Sequence, residues 1–110
     1  MRRGDVVVIA DRAGGDYGGK PRPAVIVQSE LFLDTGSVVV CLLTTHETGA
    51  PLLRVPVAAG EASGLQRSSR IAIEKIVSVR RERIGQQLGR LADDELVALN
   101  RSLAVFLGFA

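Results

Sequence analysis

Apolar positions along the chain come in short blocks. "DVVVIA" (5–10), "AVIVQ" (24–28), "SVVVCLL" (37–43), "LLRVPV" (52–57) and "RIAIEKIVSV" (70–79) are rich in valine and isoleucine, and glycine, proline and aspartate fill the gaps. β-Branched side chains are stiff at χ1 and pack well on a pleated surface, so each block predicts a strand. "VVVIA" and "VVVCLL" are apolar at every position, which predicts cover on both faces. The last block alternates in part. Ile71, Ile73, Val77 and Val79 face one way, and Arg70, Ala72, Glu74, Ile76 and Ser78 face the other.

The period changes only near the end. In "LADDELVALNRSLAVFLGF" (91–109), Leu96, Leu99, Leu103 and Phe106 recur at three- and four-residue steps, the apolar stripe of a helix. Asp93 is its predicted cap, Asp94 and Glu95 sit in the first turn, and Gly108 ends it. "ERIGQQLGRL" (82–91) fits either a strand with a turn or a short helical turn. Between the strands there is no helix-length segment, which excludes βαβ units. The predicted fold is mostly β: a single domain over 1–110, a small antiparallel barrel or half-barrel with a C-terminal helix packed on it.

At 110 residues the chain suits one domain. It lacks the run of about 18 apolar residues that a membrane helix needs. The first apolar stretch, Val6 to Ala10, is too short for the core of a secretion signal and reads as a strand. The one cysteine, Cys41, lies inside an apolar block. It has no internal disulfide partner and reads as a buried thiol in a reducing cytosol. Net charge is +2 but uneven. Residues 67–90 hold seven cations against Glu74 and Glu82. Such a block suits a polyanion or an acidic protein partner, and equally the charged guard of a sheet edge.

Few residues could carry chemistry. There is one histidine, His46, and none of the CxxC or HExxH spacings that hold a metal. "GGDYGGKPRP" (14–23) has a lysine after glycines, but no Ser or Thr follows it, so it is not a phosphate-binding P-loop. No GxSxG elbow exists. Two places remain. Arg22 stands between Pro21 and Pro23, so a stiffened backbone holds its guanidinium at the entrance to a strand, suited to gripping a phosphate through paired hydrogen bonds. The second place is "LLTTHETGAP" (42–51), where threonines and His46 follow an apolar strand. Hydroxyls at a strand exit serve a site or bond their own backbone, and this stretch alone leaves both open.

Taken together these pieces resemble a known family. "RGDVVVIADRAGGDYGGKPRPAVIVQSE" (3–30), "SVVVCLLTT" (37–45) and "GLQRSSRIAIEKIVSVRRERIGQQLGRL" (64–91) are similar, in order, to the MazF/PemK-like (Kid, CcdB-fold) toxins of type II toxin–antitoxin systems. The resemblance implies an SH3-like β-barrel with a C-terminal helix, acting as a homodimer in the cytoplasm, without metal or cofactor. It implies an endoribonuclease of the mRNA interferase type, cutting single-stranded RNA at a specific sequence and leaving a 2′,3′-cyclic phosphate. Carried over by position, the catalytic pair is Arg22 and Thr44. The glycine loop, Gly14 to Lys20, would cover the RNA, with Tyr17 offering a stacking face. Lys20, Thr45, His46 and Arg70 are the further RNA contacts expected. The implied partners are single-stranded RNA and an antitoxin, with no membrane. Asp16-Tyr17 and "LQRSSR" depart from common family patterns and bear on which sequence is cut. The alternative is a CcdB-like toxin that inhibits DNA gyrase by protein binding, and the Arg22/Thr44 pair speaks against it.

Overall fold

Strands that are apolar on both faces need a sheet that is covered twice, and the chain folds that way. The computed structural model describes residues 1–10, 20–46 and 49–110. Six strands, β1 (Asp5–Ile9), β2 (Arg22–Ile26), β3 (Ser37–Thr44), β4 (Arg54–Val57), β5 (Ser69–Arg80) and β6 (Ile84–Arg90), precede one helix, α1 (Asp93–Leu107). All pairings are antiparallel, in the order β4-β5-β3-β2-β1-β6. Alternate residues divide between two cores. Val6, Val25, Cys41 and Leu43 pack with Leu99 and Leu103 of the helix. Val7, Ala24, Ile26, Val38 and Val40 pack on the opposite face with Leu33 and Val79.

The mostly β architecture with a closing helix matches the pattern of the sequence, but the ladder itself does not close. Among the described residues β4 and β6 are its two edges. The loop after β4 bridges the gap. The Arg90 N–H donates to the Ala62 carbonyl at 2.8 Å, and Gly64 lies directly against the Leu88 backbone. Two glycines permit this approach. Gly64 has φ +74°, and a Cβ on Gly89 would meet the Ala62 and Ser63 backbone. The ambiguous segment 82–91 becomes a short turn, Arg81–Arg83, followed by β6, which pairs with β1.

The opening Arg-Gly-Asp is structural. Asp5 is buried, accepts the Arg2 N–H at 2.7 Å and takes a hydrogen bond from the Arg90 guanidinium at 3.0 Å. Arg90 donates as well to the Arg3 carbonyl at 2.8 Å. This knot ties the start of β1 to the end of β6.

Two features of α1 differ from the sequence pattern. Ala92, not Asp93, is the N-cap, and alanine has no acceptor to offer. Glu95 supplies the polar partner instead: its carboxylate accepts the Ala92 N–H at 2.8 Å and the Ala58 N–H at 3.0 Å. That fixes the helix start to the end of β4 and puts negative charge in the first turn. At the other end Phe106 lies outside the buried stripe. Leu99, Ser102 and Leu103 are buried, whereas residues 105–110 are exposed and extend past the packed face.

β5 carries the largest irregularity. Leu43 pairs with Ile71 and Cys41 with Ile76, so the single residue Leu42 faces the four residues Ala72 to Lys75. A bulge of this kind bends the strand and re-aims its side chains. It breaks the alternation: Ile73 is buried while Val77 is exposed.

Candidate active site

Pro21 and Pro23 hold Arg22 at the first position of β2, where it stands opposite Ile9 of β1. The ladder to β3 starts at Ala24, opposite Leu42, just past the proline that has no N–H to give. Two residues further along the same register, Arg22 comes level with Thr44, the last residue of β3. Thr44 in turn stands opposite Arg70 of β5. The arginine and the threonine, 22 positions apart in the chain, thus end two neighbouring interior strands on one row of the sheet.

They line one open cleft of about 300 Å³, with Pro23, Leu42, Leu43, Thr45, His46, Ser69, Ala72 and Lys75. The Thr44 Oγ1 accepts the His46 backbone N–H at 3.1 Å. With that lone pair engaged, its hydroxyl hydrogen is available to donate to an oxygen in the cleft. Arg22, Thr45, His46 and Lys75 are exposed, and Thr44 is half-buried. The walls are therefore an apolar floor and a rim of two cations, hydroxyls and one imidazole. That suits an anion with an apolar face, such as a nucleotide.

Of the other residues expected at the site, Thr45 and His46 lie in the cleft. Arg70 is half-buried beside it, across from Thr44. Lys20 is exposed, two residues before Arg22, and is not part of the lining. Tyr17 and the glycines of 14–19 lie outside the described residues. Lys75 and Ser69 were not singled out by sequence. The signal for Lys75 was the break in alternation at Glu74-Lys75-Ile76, which the bulge explains.

The basic block of 67–90 is not a single RNA track. Arg81 donates to the Leu33 carbonyl, Arg83 to the Ala10 carbonyl at 3.0 Å, and Arg90 to Arg3 and Asp5. Three of its seven cations thus hold the fold together. Arg54 of β4 is another fixed cation: it donates to the Leu53 carbonyl at 2.9 Å and pairs with Glu74 on the bulge. The Arg54 hydrogen bond holds the Glu74 carboxyl below its usual range. Burial pushes the Cys41 thiol up to about 12, so it stays a protonated apolar filler. Among the described residues no three His, Cys, Asp or Glu gather closely enough to hold a metal. No helix among them is long and apolar enough to cross a membrane.

A six-stranded antiparallel sheet whose edges are bridged by a loop, with one closing helix, defines a class of fold, and comparison with known proteins agrees. Residues 2–107 match the family described as PemK-like, MazF-like toxin of type II toxin–antitoxin system. A curated relative, "Probable endoribonuclease MazF" of Mycolicibacterium smegmatis, is 44% identical over the whole chain and 99% of its own length. The chain belongs to the PemK-like, MazF-like toxins of type II toxin–antitoxin systems. The fold is shared with a mycobacterial endoribonuclease solved in complex with its cognate antitoxin (TM-score 0.81, 23% identity, 100% of this chain and 97% of that one). It is shared also with the Mycobacterium tuberculosis toxin MazF-mt6 (TM-score 0.76, 23% identity, 94% and 96%).

Proposed function

We propose that the cleft cuts single-stranded RNA, in the cell mRNA, at a specific sequence and without a metal ion, and that the chain is the cytoplasmic toxin of its pair. An endoribonuclease function follows from the family and from the 44% identical relative. The observation that supports this site and chemistry is the meeting of Arg22 and Thr44 in one cleft.

The substrate brings its own nucleophile. The 2′-hydroxyl attacks the adjacent phosphorus, the bond from phosphorus to the 5′-oxygen breaks, and that oxygen takes a proton. The products are a 2′,3′-cyclic phosphate and a 5′-hydroxyl, and DNA, lacking the attacking group, is spared. Negative charge gathers on the phosphate oxygens in the transition state. A cation held in place stabilises that charge more than the ground state. Arg22 supplies it from a backbone that two prolines hold still. A guanidinium has five N–H donors and no acceptor, so arginine is a poor base. The Thr44 hydroxyl donates to a phosphate oxygen. His46 stands on the same rim as a further contact to the RNA.

The proposal includes a second copy of the chain and an antitoxin as protein partners. The relative solved with its cognate antitoxin supports the latter. Val105, Phe106, Leu107 and Phe109, all exposed at the end of α1, leave apolar surface for such contacts.

The test is digestion of a mixed RNA pool in EDTA, with sequencing of the 5′-hydroxyl ends. Wild type yields ends at one short motif. Arg22→Ala loses about 10²–10³-fold in rate with an unchanged far-UV spectrum. An intact, folded wild-type protein that cuts nothing would return the function to gyrase inhibition by protein binding.

A further inference from the structure

The bulge in β5 does more than bend the strand. It carries two adjacent charged residues with opposite fates: Lys75 lines the cleft, and Glu74 is held by Arg54. The Arg54 side chain is nearly enclosed, 11% exposed, against 32% for Glu74. Its Nε is buried and finds no hydrogen-bond acceptor among the described residues. The Arg54 terminal nitrogen that meets the Leu53 carbonyl also holds Glu74. The arrangement runs through three strands. Arg54 of β4 pairs by register with Ala72, the first residue of the bulge, and reaches across to Glu74. Leu42 of β3 faces the same four residues and lines the cleft. Without an anchor, four residues opposite one would be free to take several conformations, and Lys75 would move with them.

We propose that the Arg54–Glu74 pair is a positioning device that pins the β5 bulge so that Lys75 meets an RNA backbone phosphate in the cleft. Lys75 is then a substrate-binding residue, and Arg54 and Glu74 act through it. The inference rests on the reading of the cleft as an RNA site. A lysine serves here as a point charge on a flexible stem, so its useful position is set by where its backbone is held.

The sign of one substitution separates this from a purely structural staple. Glu74→Gln removes a negative charge beside a site for a polyanion. Electrostatics alone then tightens RNA binding. A structural staple lowers the melting temperature and leaves binding alone or tighter. The positioning role weakens binding. The probe is a fluorescein-labelled single-stranded DNA of mixed sequence, which lacks the attacking hydroxyl, titrated by anisotropy at several salt concentrations. Lys75→Ala raises Kd by about three- to tenfold. It reduces the slope of log K against log salt by about 0.7, the loss of one phosphate contact on a single strand. Lys75→Arg restores most of both. Glu74→Gln changes Kd and slope in the same direction as Lys75→Ala, and the double variant binds no more weakly than Lys75→Ala alone.

On an RNA substrate the same variants raise KM by a larger factor than they lower kcat. Tighter or unchanged binding by a folded Glu74→Gln protein, or full additivity in the double variant, overturns the positioning role. An unchanged slope in Lys75→Ala overturns the phosphate contact. Either result with wild type still cutting RNA leaves the proposed function standing. A wild type that neither binds the probe nor cuts RNA removes both.

Discussion

Gly89→Ala tests how the curved sheet is sealed. Gly89 lies on β6 where the loop after β4 crosses it. An alanine Cβ there would sit 2.5 Å from the Ser63 carbonyl oxygen, and closer still to the Ala62 oxygen and the Ser63 carbonyl carbon. All three are backbone atoms, so no side chain can swing aside. Normal contact needs the loop to retreat by about 1 Å. That retreat breaks the 2.8 Å bond from the Arg90 N–H to the Ala62 carbonyl, worth about 1 kcal/mol. It also strains a tightly packed contact, which costs roughly 1–3 kcal/mol. The expected loss is therefore roughly 2–4 kcal/mol. Urea unfolding followed by far-UV circular dichroism, at one fixed protein concentration, measures it. Gly36→Ala is the control. Nothing lies within 4 Å of its Cβ position and its φ is not positive, so it should match wild type or gain up to about 1 kcal/mol. A Gly89→Ala protein within about 1 kcal/mol of wild type, at an unchanged m-value, would show that the loop does not seal the gap.

Asp5→Ala removes the buried carboxylate that holds the partly exposed Arg90 guanidinium and the Arg2 N–H, and should destabilise by about 1–2 kcal/mol in the same assay. A loss under about 0.5 kcal/mol would show the knot to be dispensable. Cys41 should resist a thiol reagent at pH 8 in the folded protein and react at the urea concentration where the fold is lost, since burial holds its thiol at about 12. Fast labelling without urea would contradict that burial. The Glu74 carboxyl is held below its usual range, so the stability it draws from Arg54 is present above that range and fades as pH falls through the lowered value. The gap in unfolding free energy between wild type and Glu74→Gln should accordingly narrow on acidification below about pH 4.3. A gap that persists undiminished at pH 2 would mean the pair acts by shape rather than charge.

Much of this was legible in the residues. Unbroken valine runs announced strands covered on both faces, and Val6 with Val7 does divide between the two cores. Arg22 between prolines was legible as a candidate and so was the stretch 42–51, within which the family resemblance picks out Thr44, though their meeting depends on the register of β2 with β3. What escaped was set by long-range geometry. Lys75 enters the cleft because β5 bulges, and the break in alternation at Glu74-Lys75-Ile76 marks the place without telling that four residues there will face one. The loop that seals the sheet pairs residues near 62 with residues near 90, beyond any short-range pattern. Ala92 caps the helix because Glu95 reaches back to its N–H, so the neighbouring aspartate was the stronger local signal and the wrong one. The basic block of 67–90 suits by composition a polyanion, an acidic partner or the guard of a sheet edge. Arg81, Arg83 and Arg90 find carbonyls only once the chain has folded.

Arg22 and Thr44 end two strands that have neighbours on both sides. Fraying at either edge of the sheet leaves the distance between them untouched. An antagonist therefore gains little by prying at the rim. On the proposed function, silencing the protein takes an obstacle in the doorway of the cleft, which makes obstruction a more accessible route to control than deformation.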